Sequence, residues 1–334
     1  MRRFTSAILV LMLVGFLIAG GLYLRGASNR EPEKGTQVVV INEALRTLLY
    51  LPVYHAIERG YFRDEKLDVR LVTGGTATNA FSAMLNGEAD IAVADPMYVP
   101  ISRESGARTR VVGQVVARIA VWALSRRPNA TAFDAATLKG RTISTHPRPM
   151  TAYTYTLNRL NELGLQEGTD IKVVQSRPGS EIAPFLAKRA DFVVTLEPGA
   201  STAEAAGAHV IFSWPEALGD RIFTGLMVRE DVLANRPYMV DGSLRAIQRA
   251  MVDIRVNRAA AITTAAKFFP GVDRAILERA VKRMLAEQVL PRSVRISQES
   301  WQSAVTARRA SGDLKADAPF SVNVDSGAWD RALR

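Results

Sequence analysis

The sequence predicts an α/β protein built from two similar lobes, with a small ligand held between them. The first observation is residues 72–96, which have the pattern of a strand end, a small-residue loop, a short helix, a buried strand and an acid–proline stop. The second is an echo of this pattern, because residues 84–96 align with residues 185–198 when Leu196 is treated as an insertion. Folds of this kind bind small ligands at the carboxyl edge of a parallel sheet. Two matched lobes therefore predict a clamshell that closes on its ligand.

The first lobe is predicted from short apolar runs and from one helical stripe. Residues 91–94 are all apolar, which suits a strand buried on both faces. Pro52 lies in the first turns of a predicted helix, where proline is tolerated. The predicted elements are strands at residues 37–41, 67–72 and 91–94 and helices at residues 47–59 and 77–85.

The loop before the helix at residues 77–85 is the first candidate binding element. Gly75 lets the backbone approach a ligand closely, and Thr76 or Thr78 can cap the helix with its hydroxyl. Unpaired N–H groups at a helix start attract anions. Gly75, Thr76, Ala77 and Thr78 are therefore candidate ligand residues, and an ordinary capped helix is the alternative interpretation.

Two extended runs, at residues 110–116 and 119–124, can carry the chain from one lobe to the other. The predicted second-lobe elements are helices at residues 133–138, 152–163 and 181–187 and strands at residues 142–145, 171–174 and 192–195. A strand at residues 223–228 returns to the first lobe. It is followed by predicted helices at residues 239–257, 258–268, 273–287 and 298–309. The predicted lobes are residues 37–117 with 221–334 (lobe I) and residues 118–220 (lobe II).

The N-terminus predicts export. Residues 1–3 carry two arginines, and residues 7–24 form an apolar run whose length lies between that of a signal peptide and that of a membrane anchor. Residues 1–27 are therefore a signal peptide or an anchor, and residues 28–36 a polar tether. Both alternatives place the body of the protein in the periplasm or elsewhere outside the cytoplasm.

Composition excludes several kinds of site. The chain has 334 residues, a net charge of +10 and no cysteine, so it has no disulfide, thiolate metal site or cysteine nucleophile. The positive charge favours an anionic ligand, but it is scattered, with no basic stripe interleaved with aromatics, which argues against nucleic-acid binding. Three dispersed histidines make no metal site.

Four motifs in the expected order resemble one family of exported proteins. Residues 51–62 (LPVYHAIERGYF) resemble its segment of an aliphatic residue, a nearby proline and Ala-x-Glu-x-Gly-Tyr-Phe. Residues 85–91 (LNGEADI), 138–143 (LKGRTI) and 196–198 (LEP) are similar to its later motifs. The family comprises substrate-binding proteins for nitrate, sulfonates, taurine and thiamine-pyrimidine precursors. The resemblance covers residues 37 to about 330.

This resemblance implies a type II periplasmic-binding fold that is not an enzyme and has no cofactor. It implies a monomer that captures a small anionic or heteroaromatic solute and delivers it to the inner-membrane permease of an ABC importer. Leu196 stands where the family usually has tryptophan, and residues 146–149 (HPRP) replace its usual glycine–serine loop. Both departures concern the ligand class.

The remaining candidate ligand residues follow strand ends. Asp95 and Glu197 each accept from a ligand amine or only cap the next helix. Two facing acids would argue for a ligand with donors or a cation, whereas the net charge argues for an anion. Arg148 binds a carboxylate or sulfonate by its fork or is a solvated rim residue. The other candidates, all in loops or strand ends of the two lobe walls, are Asn42, Glu43, Thr47, His146, Met150 and Thr151.

Two other function classes compete with solute delivery. An enzyme of the same fold, such as a pyrimidine-precursor synthase, would need a metal segment rich in cysteine or a committed nucleophile, and the sequence has no cysteine and no catalytic triad. An anchored sensor or scaffold module is favoured if residues 7–24 stay in the mature protein.

Overall fold

The computed structural model describes residues 35–148 and 150–334. The predicted signal peptide or anchor at residues 1–27, with its apolar run 7–24, and most of the tether lie outside these residues. Within the described part, no helix has the length and apolarity needed to cross a membrane.

The described residues form ten strands and sixteen α-helices, joined by turns and loops. The strands are β1 Gln37–Glu43, β2 Leu67–Thr73, β3 Ile91–Ala94, β4 Thr109–Val116, β5 Trp122–Ser125, β6 Thr142–Thr145, β7 Lys172–Gln175, β8 Phe192–Thr195, β9 His209–Ser213 and β10 Thr224–Arg229. The helices are α1 Leu51–Glu58, α2 Tyr61–Asp64, α3 Ala77–Leu85, α4 Tyr98–Glu104, α5 Ala135–Leu138, α6 Thr151–Glu162, α7 Ile182–Leu186, α8 Gly199–Ala205, α9 Trp214–Leu218, α10 Glu230–Asn235, α11 Pro237–Val256, α12 Arg258–Phe268, α13 Arg274–Ala286, α14 Gln298–Ala310, α15 Phe320–Asn323 and α16 Ser326–Ala332. A 3-10 turn, Leu48–Tyr50, precedes α1.

The first sheet has the strand order β2-β1-β3-β10-β4. Strand β1 runs parallel to β3, with Ile41 opposite Ile91, and β10 runs antiparallel to both β3 and β4. All four residues of β3 are buried, as expected for a central strand that helices cover on both faces.

The second sheet repeats this plan with the order β7-β6-β8-β5-β9. Strand β6 is parallel to β7 and β8, and β5 is antiparallel to β8 and β9. The chain leaves the first sheet after Val116, reaches the second at Trp122, and returns between Ser213 and Thr224. The predicted two-lobed α/β fold is confirmed, while the lobe boundaries at residues 117/118 and 220/221 stay a prediction.

The repeated pattern in the sequence corresponds to a repeated order of elements in the structure. Helix α3 leads into β3 and then α4 in one half, as α7 leads into β8 and then α8 in the other. Helices α11 and α12 pack on α1, whereas α13 packs on both α12 and α8 of the second half. Helix α13 therefore bridges the two halves.

One boundary differs from the sequence prediction at a place that matters for the site. Residues 42 and 43 were predicted in a loop, but they continue β1, because Asn42 and Glu43 pair with Ala92 and Val93 of β3. A carboxylate is tolerated at this buried strand end because three side chains donate to it, as described below.

Candidate ligand-binding cleft

The carboxyl ends of β1, β2 and β3 meet at one edge of the first sheet. The Gly74 N–H donates to the Glu43 carbonyl at 2.9 Å, and the Ala44 N–H donates to the Val93 carbonyl at 2.9 Å. The loops that lead into α3 and α4 therefore open side by side, as such folds require for ligand binding.

Glu43 and its neighbours form the buried floor of this edge. The Glu43 carboxylate accepts from the Tyr54 hydroxyl at 2.5 Å and the Thr73 hydroxyl at 2.8 Å, and it pairs with Arg46 at 2.9 Å. Burial raises the pKa of Glu43, and the hydrogen bonds from Tyr54 and Thr73 oppose that rise. The Asn42 Oδ1 atom is buried and has no hydrogen-bond partner among the described residues.

The small-residue loop has the geometry expected of a helix cap. Thr76 is the N-cap of α3, and its hydroxyl accepts from the Asn79 N–H at 3.1 Å. Gly75 has φ of +81° with open space where a side chain would be. The Thr78 hydroxyl bonds the Tyr98 hydroxyl at 2.8 Å. The ligand roles of these residues and of Ala77 stay predictions.

Asp95 lies at the end of β3 and is fully engaged. One oxygen accepts from the Met97 N–H at 2.9 Å, and the other pairs with Arg308 of α14. Arg308 also pairs with Asp313 at 2.8 Å, and the Asp95 charge raises the pKa of Arg308. Asp95 is therefore no free acceptor unless Arg308 moves.

A narrow cleft with a cavity volume of about 40 Å³, open to solvent at its mouth, lies beside this ion pair. Its walls come from the turn after β3, the two crossings, α6 and α14. The lining residues are Asp95, Met97, Ile119, Thr151, Thr154, Tyr155, Asn158, Arg221, Ile222, Phe223, Ala304, Ala307, Arg308 and Ser311.

Arg221 differs from Arg308 in its partners. Its Nε donates to the Ser303 hydroxyl at 2.8 Å and its Nη1 to the Tyr155 hydroxyl at 3.3 Å. Burial raises the pKa of Tyr155, so this hydroxyl stays neutral. No carboxylate of the described residues pairs with Arg221, so its charge is open to an anion.

The matching edge of the second sheet carries a buried polar group. The Thr195 hydroxyl donates to Glu181 Oε1 at 2.6 Å, and His146 Nε2 lies 3.5 Å from the same oxygen. Burial lowers the pKa of His146, although the Glu181 charge opposes this. Glu181 Oε2 and His146 Nδ1 are buried without a partner among the described residues.

Glu197 is buried, and both of its carboxylate oxygens have partners within the protein. Its carboxylate accepts from the Ser201 hydroxyl at 2.9 Å and the Ser201 N–H at 3.0 Å, and it pairs with Arg283 at 3.0 Å. Burial raises the pKa of Glu197 to about 7 even though the Arg283 charge lowers it. The two acids singled out in the sequence are thus both paired within the protein.

The remaining candidates lie in or just after the loop that follows β6, and their surroundings differ. Arg148 has a largely exposed side chain that donates to the Tyr153 hydroxyl at 2.9 Å and lies 3.8 Å from Glu167. The Met150 N–H donates to the Pro147 carbonyl at 2.9 Å, and Thr151 begins α6 and lines the cleft. Of the predicted residues, Asp95 and Thr151 therefore line the cleft, and Arg148 is not among its lining residues.

Further hydrogen bonds join the two halves, besides the Arg283–Glu197 pair. The Thr47 hydroxyl donates to the Glu197 carbonyl at 3.4 Å. The Trp122 indole and the Ser213 hydroxyl both donate to Glu287, just after α13, at 2.7 and 2.6 Å. The halves are held together on the α13 side as well as at the cleft.

Comparison with known proteins agrees with this architecture. The family described as NMT1/THI5 like matches residues 49–261, more than half of the chain. The chain belongs to the NMT1/THI5-like family. This confirms the resemblance found in the motifs.

Proteins similar to this chain match it over nearly its full length. YtlA of Bacillus subtilis, described as a candidate binding protein, is 24% identical over 322 residues, covering 93% of this chain and 95% of YtlA. The periplasmic aliphatic sulphonate-binding protein SsuA of Escherichia coli has a TM-score of 0.69 at 15% identity, with 89% and 100% of the two chains covered. The periplasmic nitrate-binding protein NrtA of Synechocystis has a TM-score of 0.68 at 12% identity, with 90% and 89% covered. At these identities the structures show a shared fold.

The sequence analysis did not predict three residues that line the cleft, Tyr155, Arg221 and Arg308, or the buried Glu181 beside β8. Tyr155 follows the helical spacing of α6 from Thr151, so the helix prediction could have found it. Arg221 lies in the predicted second crossing, which is a signal for a cleft residue. Nothing in the local pattern distinguishes Arg308 or Glu181 from solvated charges.

Proposed function

We propose that this chain is an extracytoplasmic solute-binding protein that captures a small solute between its lobes and delivers it to the membrane permease of an ABC importer. The observation that carries the proposal is the cleft, whose walls come from the turn after β3, from α6 after β6 and from both crossings. A solute bound there would contact both halves and favour their closure.

The neighbours support this proposal. SsuA and NrtA are named for binding sulphonates and nitrate in the periplasm, and a similar Staphylococcus aureus structure is described as the ligand-binding component of an ABC-type import system. A periplasmic location also agrees with the export signal predicted at residues 1–27.

The solute we propose has an anionic group, on a small aliphatic or heteroaromatic body, that pairs with Arg221. Arg308 already neutralises two carboxylates, whereas Arg221 contacts two neutral hydroxyls. A guanidinium can bind a sulfonate or carboxylate through two N–H groups, and partial burial strengthens that pair. The net charge of +10 points the same way.

We propose that the protein releases its solute unchanged. One similar structure, at 15% identity, is described as a desulfurization enzyme, so the fold alone does not decide this point. Mass spectrometry of the solute after incubation with the protein tests it, because an enzyme would leave a product of different mass.

The experiment is a thermal-unfolding screen of the purified full chain in mild detergent, in which tryptophan emission monitors unfolding. The probes are nitrate, sulfonates, bicarbonate, dicarboxylates, aromatic acids, aminopyrimidines and a low-molecular-weight cell extract. A ligand at about 100 times its Kd stabilises the fold by about 2.7 kcal/mol. We expect an anionic probe to raise the midpoint.

Arg221→Met should remove that shift, because Met keeps the apolar stem and loses the charge. Arg309→Met, on the exposed face of α14, is the matched control and should keep it. If neither the probes nor the extract stabilise the wild type, solute delivery is refuted, and the anchored sensor or scaffold alternative gains. A neighbouring kinase or chemoreceptor gene without a permease gene would favour that alternative.

A further inference from the structure

A basic surface lies on the second half, at the amino edge of its sheet. Strand β6 begins there beside β7 and β8, and the antiparallel strand β5 ends there. The carboxyl end of β6 leads to α6, which lines the cleft, so this surface lies at the opposite end of the strands. Five basic residues at or next to this edge are exposed to solvent: Lys139, Arg141, Lys172, Lys188 and Arg189. We refer to these five residues as the basic edge.

The strand register brings the members of the basic edge together. Thr142 is opposite Lys172 in the β6–β7 pair, and the Lys172 N–H donates to the Arg141 carbonyl at 2.9 Å. The Asp191 N–H, two residues after Arg189, donates to the Thr142 carbonyl at 2.8 Å. Neighbouring strands are about 4.8 Å apart, so β7, β6 and β8 begin within about 10 Å of one another. The basic residues therefore form one surface.

Three carboxylates flank the basic edge and do not neutralise it. Asp170 lies 3.5 Å from Lys139. Asp134 and Asp191 accept from backbone N–H groups. None of the described carboxylates pairs with the other four cations. Like charges held this close repel one another and oppose compact folding, so an uncompensated group of them indicates an anionic partner.

An apolar side chain interrupts these charges. Leu186, the last residue of α7, is 41% exposed and lies two residues before Lys188. Phe185 beside it is fully buried, and the Arg126 guanidinium lies 4.0 Å from the centre of its ring. The basic edge therefore presents an exposed leucine among lysines and arginines. This combination is typical of protein surfaces that lie on anionic membranes.

We propose that the basic edge docks on a bilayer surface with anionic headgroups, with Leu186 at the level of those headgroups. Each Lys or Arg close to such a surface favours the docked state about fivefold. Cations spread over three adjacent strands match an array of headgroups better than they match one small anion. The export signal or anchor predicted at residues 1–27 would bring the protein to such a membrane. The inference does not depend on which solute the cleft takes.

The test uses the full chain reconstituted into lipid vesicles, with a fluorescent probe on one introduced cysteine. The chain has no cysteine of its own, so Ala187→Cys, at the exposed end of α7, is labelled alone. A nitroxide on a lipid headgroup quenches this probe when the basic edge lies on the bilayer. The vesicles are phosphatidylcholine with or without phosphatidylglycerol, so only the lipid charge differs. Val256→Cys, 78% exposed on the first half, is the control position for the probe.

Two charge variants carry the comparison. The basic-edge variant combines three substitutions: Arg141→Gln, Lys172→Gln and Arg189→Gln. The control variant loses the same charge from exposed residues of α12 and α13: Arg258→Gln, Arg274→Gln and Lys282→Gln. Circular dichroism during heating checks that both fold. The basic-edge variant should melt no lower than the unsubstituted chain, because it loses repulsion between like charges.

We expect stronger quenching at Ala187→Cys in anionic than in neutral vesicles, and no such difference at Val256→Cys. The ratio of docked to free protein should fall at least tenfold in the basic-edge variant, at about fivefold for each cation removed, and should change little in the control variant. Without any charge variant, the quenching should weaken from about 0.01 M to about 1 M salt, because the Debye length falls from about 30 Å to about 3 Å.

Three outcomes overturn the inference. Equal quenching at Ala187→Cys in neutral and anionic vesicles refutes the membrane contact, and so does an equal fall in the two charge variants. If lipid vesicles give no response but membranes that hold their native proteins do, and the basic-edge variant loses that response, the partner is an acidic protein. Each of these results leaves solute binding by the cleft unaffected, because the thermal screen measures that separately.

Discussion

Two acid–proline turns, one in each half of the molecule, end matching strands but hold their carboxylates in different surroundings. Asp95 follows β3 and keeps 15% of its side chain exposed beside the cleft, where it pairs with Arg308. Glu197 follows β8 with no exposed side-chain surface, and it pairs with Arg283 of the bridging helix α13. The backbone plan is the same in the two halves.

The difference follows from side-chain length and from the partner helix. Within its own turn, the longer Glu197 side chain accepts from the N–H and the hydroxyl of Ser201, four residues on in α8. The shorter Asp95 side chain accepts from the Met97 N–H, two residues on. One turn therefore anchors α13 to the second half, and the other forms part of a solvent-open wall. Equivalent positions in a duplicated plan can thus differ, one being buried and structural and the other lying beside a solvent-open cleft.

The largest expected effect comes from removing the two arginine partners. Arg283→Met should lower the free energy of unfolding by about 4 kcal/mol, because Glu197 is left buried without its cation. Arg308→Met should cost about 1 kcal/mol, because Asp95 is partly hydrated. Urea unfolding of both variants at pH 7 measures the difference. Equal losses would contradict the contrast between the two turns.

The pH dependence of stability sharpens the same comparison. The pKa of Glu197 is raised from 4.5 to about 7, so the folded state binds more protons than the unfolded state between these values. The Glu197 contribution should therefore fall as pH rises from 4.5 to about 7 and stay constant above, a loss of up to about 3 kcal/mol.

This loss is measured as the difference in unfolding free energy between the wild type and Glu197→Gln across that pH range. Glu216→Gln, which alters an exposed carboxylate, is the control and should leave the wild-type slope unchanged. A wild-type and Glu197→Gln difference that does not vary with pH would refute the raised pKa.

The residue after each proline gives a smaller test. The first half has Met97 there, but the second has Gly199, whose Cβ position is 2.5 Å from the Thr195 hydroxyl. Gly199→Ala should cost about 2 kcal/mol, because the added methyl overpacks the site. Adding Thr195→Ala should recover part of that loss in a double-mutant cycle. Strictly additive losses would mean that this contact is not the cause.

The smallest expected effect concerns the direct contact between the two edges. Thr47→Val removes the hydroxyl that donates to the Glu197 carbonyl at 3.4 Å, and should cost about 0.5 kcal/mol. Chemical unfolding measures this, with Thr263→Val on the exposed side of α12 as the comparison. A cost above that of Arg308→Met would make Thr47 a main contact between the halves.

The spacing of apolar residues was enough to predict several helices and strands. Strands β6 and β8 and helix α12 have the bounds predicted from that spacing. The sequence also predicted a helix cap at Thr76 or Thr78, and the cap is Thr76. The partners of the acids could not be predicted, because Arg308 lies 213 residues from Asp95 and Arg283 lies 86 residues from Glu197. Those pairings depend on how helices pack, and the spacing of charges within one helix does not contain that information.

The continuation of β1 through Glu43 could not be predicted for the same reason. The Glu43 carboxylate is tolerated there because Tyr54 and Thr73, from other elements, donate to it.

The indole of Trp122 gives this protein an optical reporter of its own. The ring is fully buried, its N–H ends on Glu287 beyond α13, and the Arg283 guanidinium lies over it at 5.7 Å. Separation of α13 from the second half would remove an anion and a cation from the fluorophore in one movement and let in water. A variant that keeps Trp122 and replaces Trp214, Trp301 and Trp329 with phenylalanine would show that movement as a shift in emission wavelength, with no label attached.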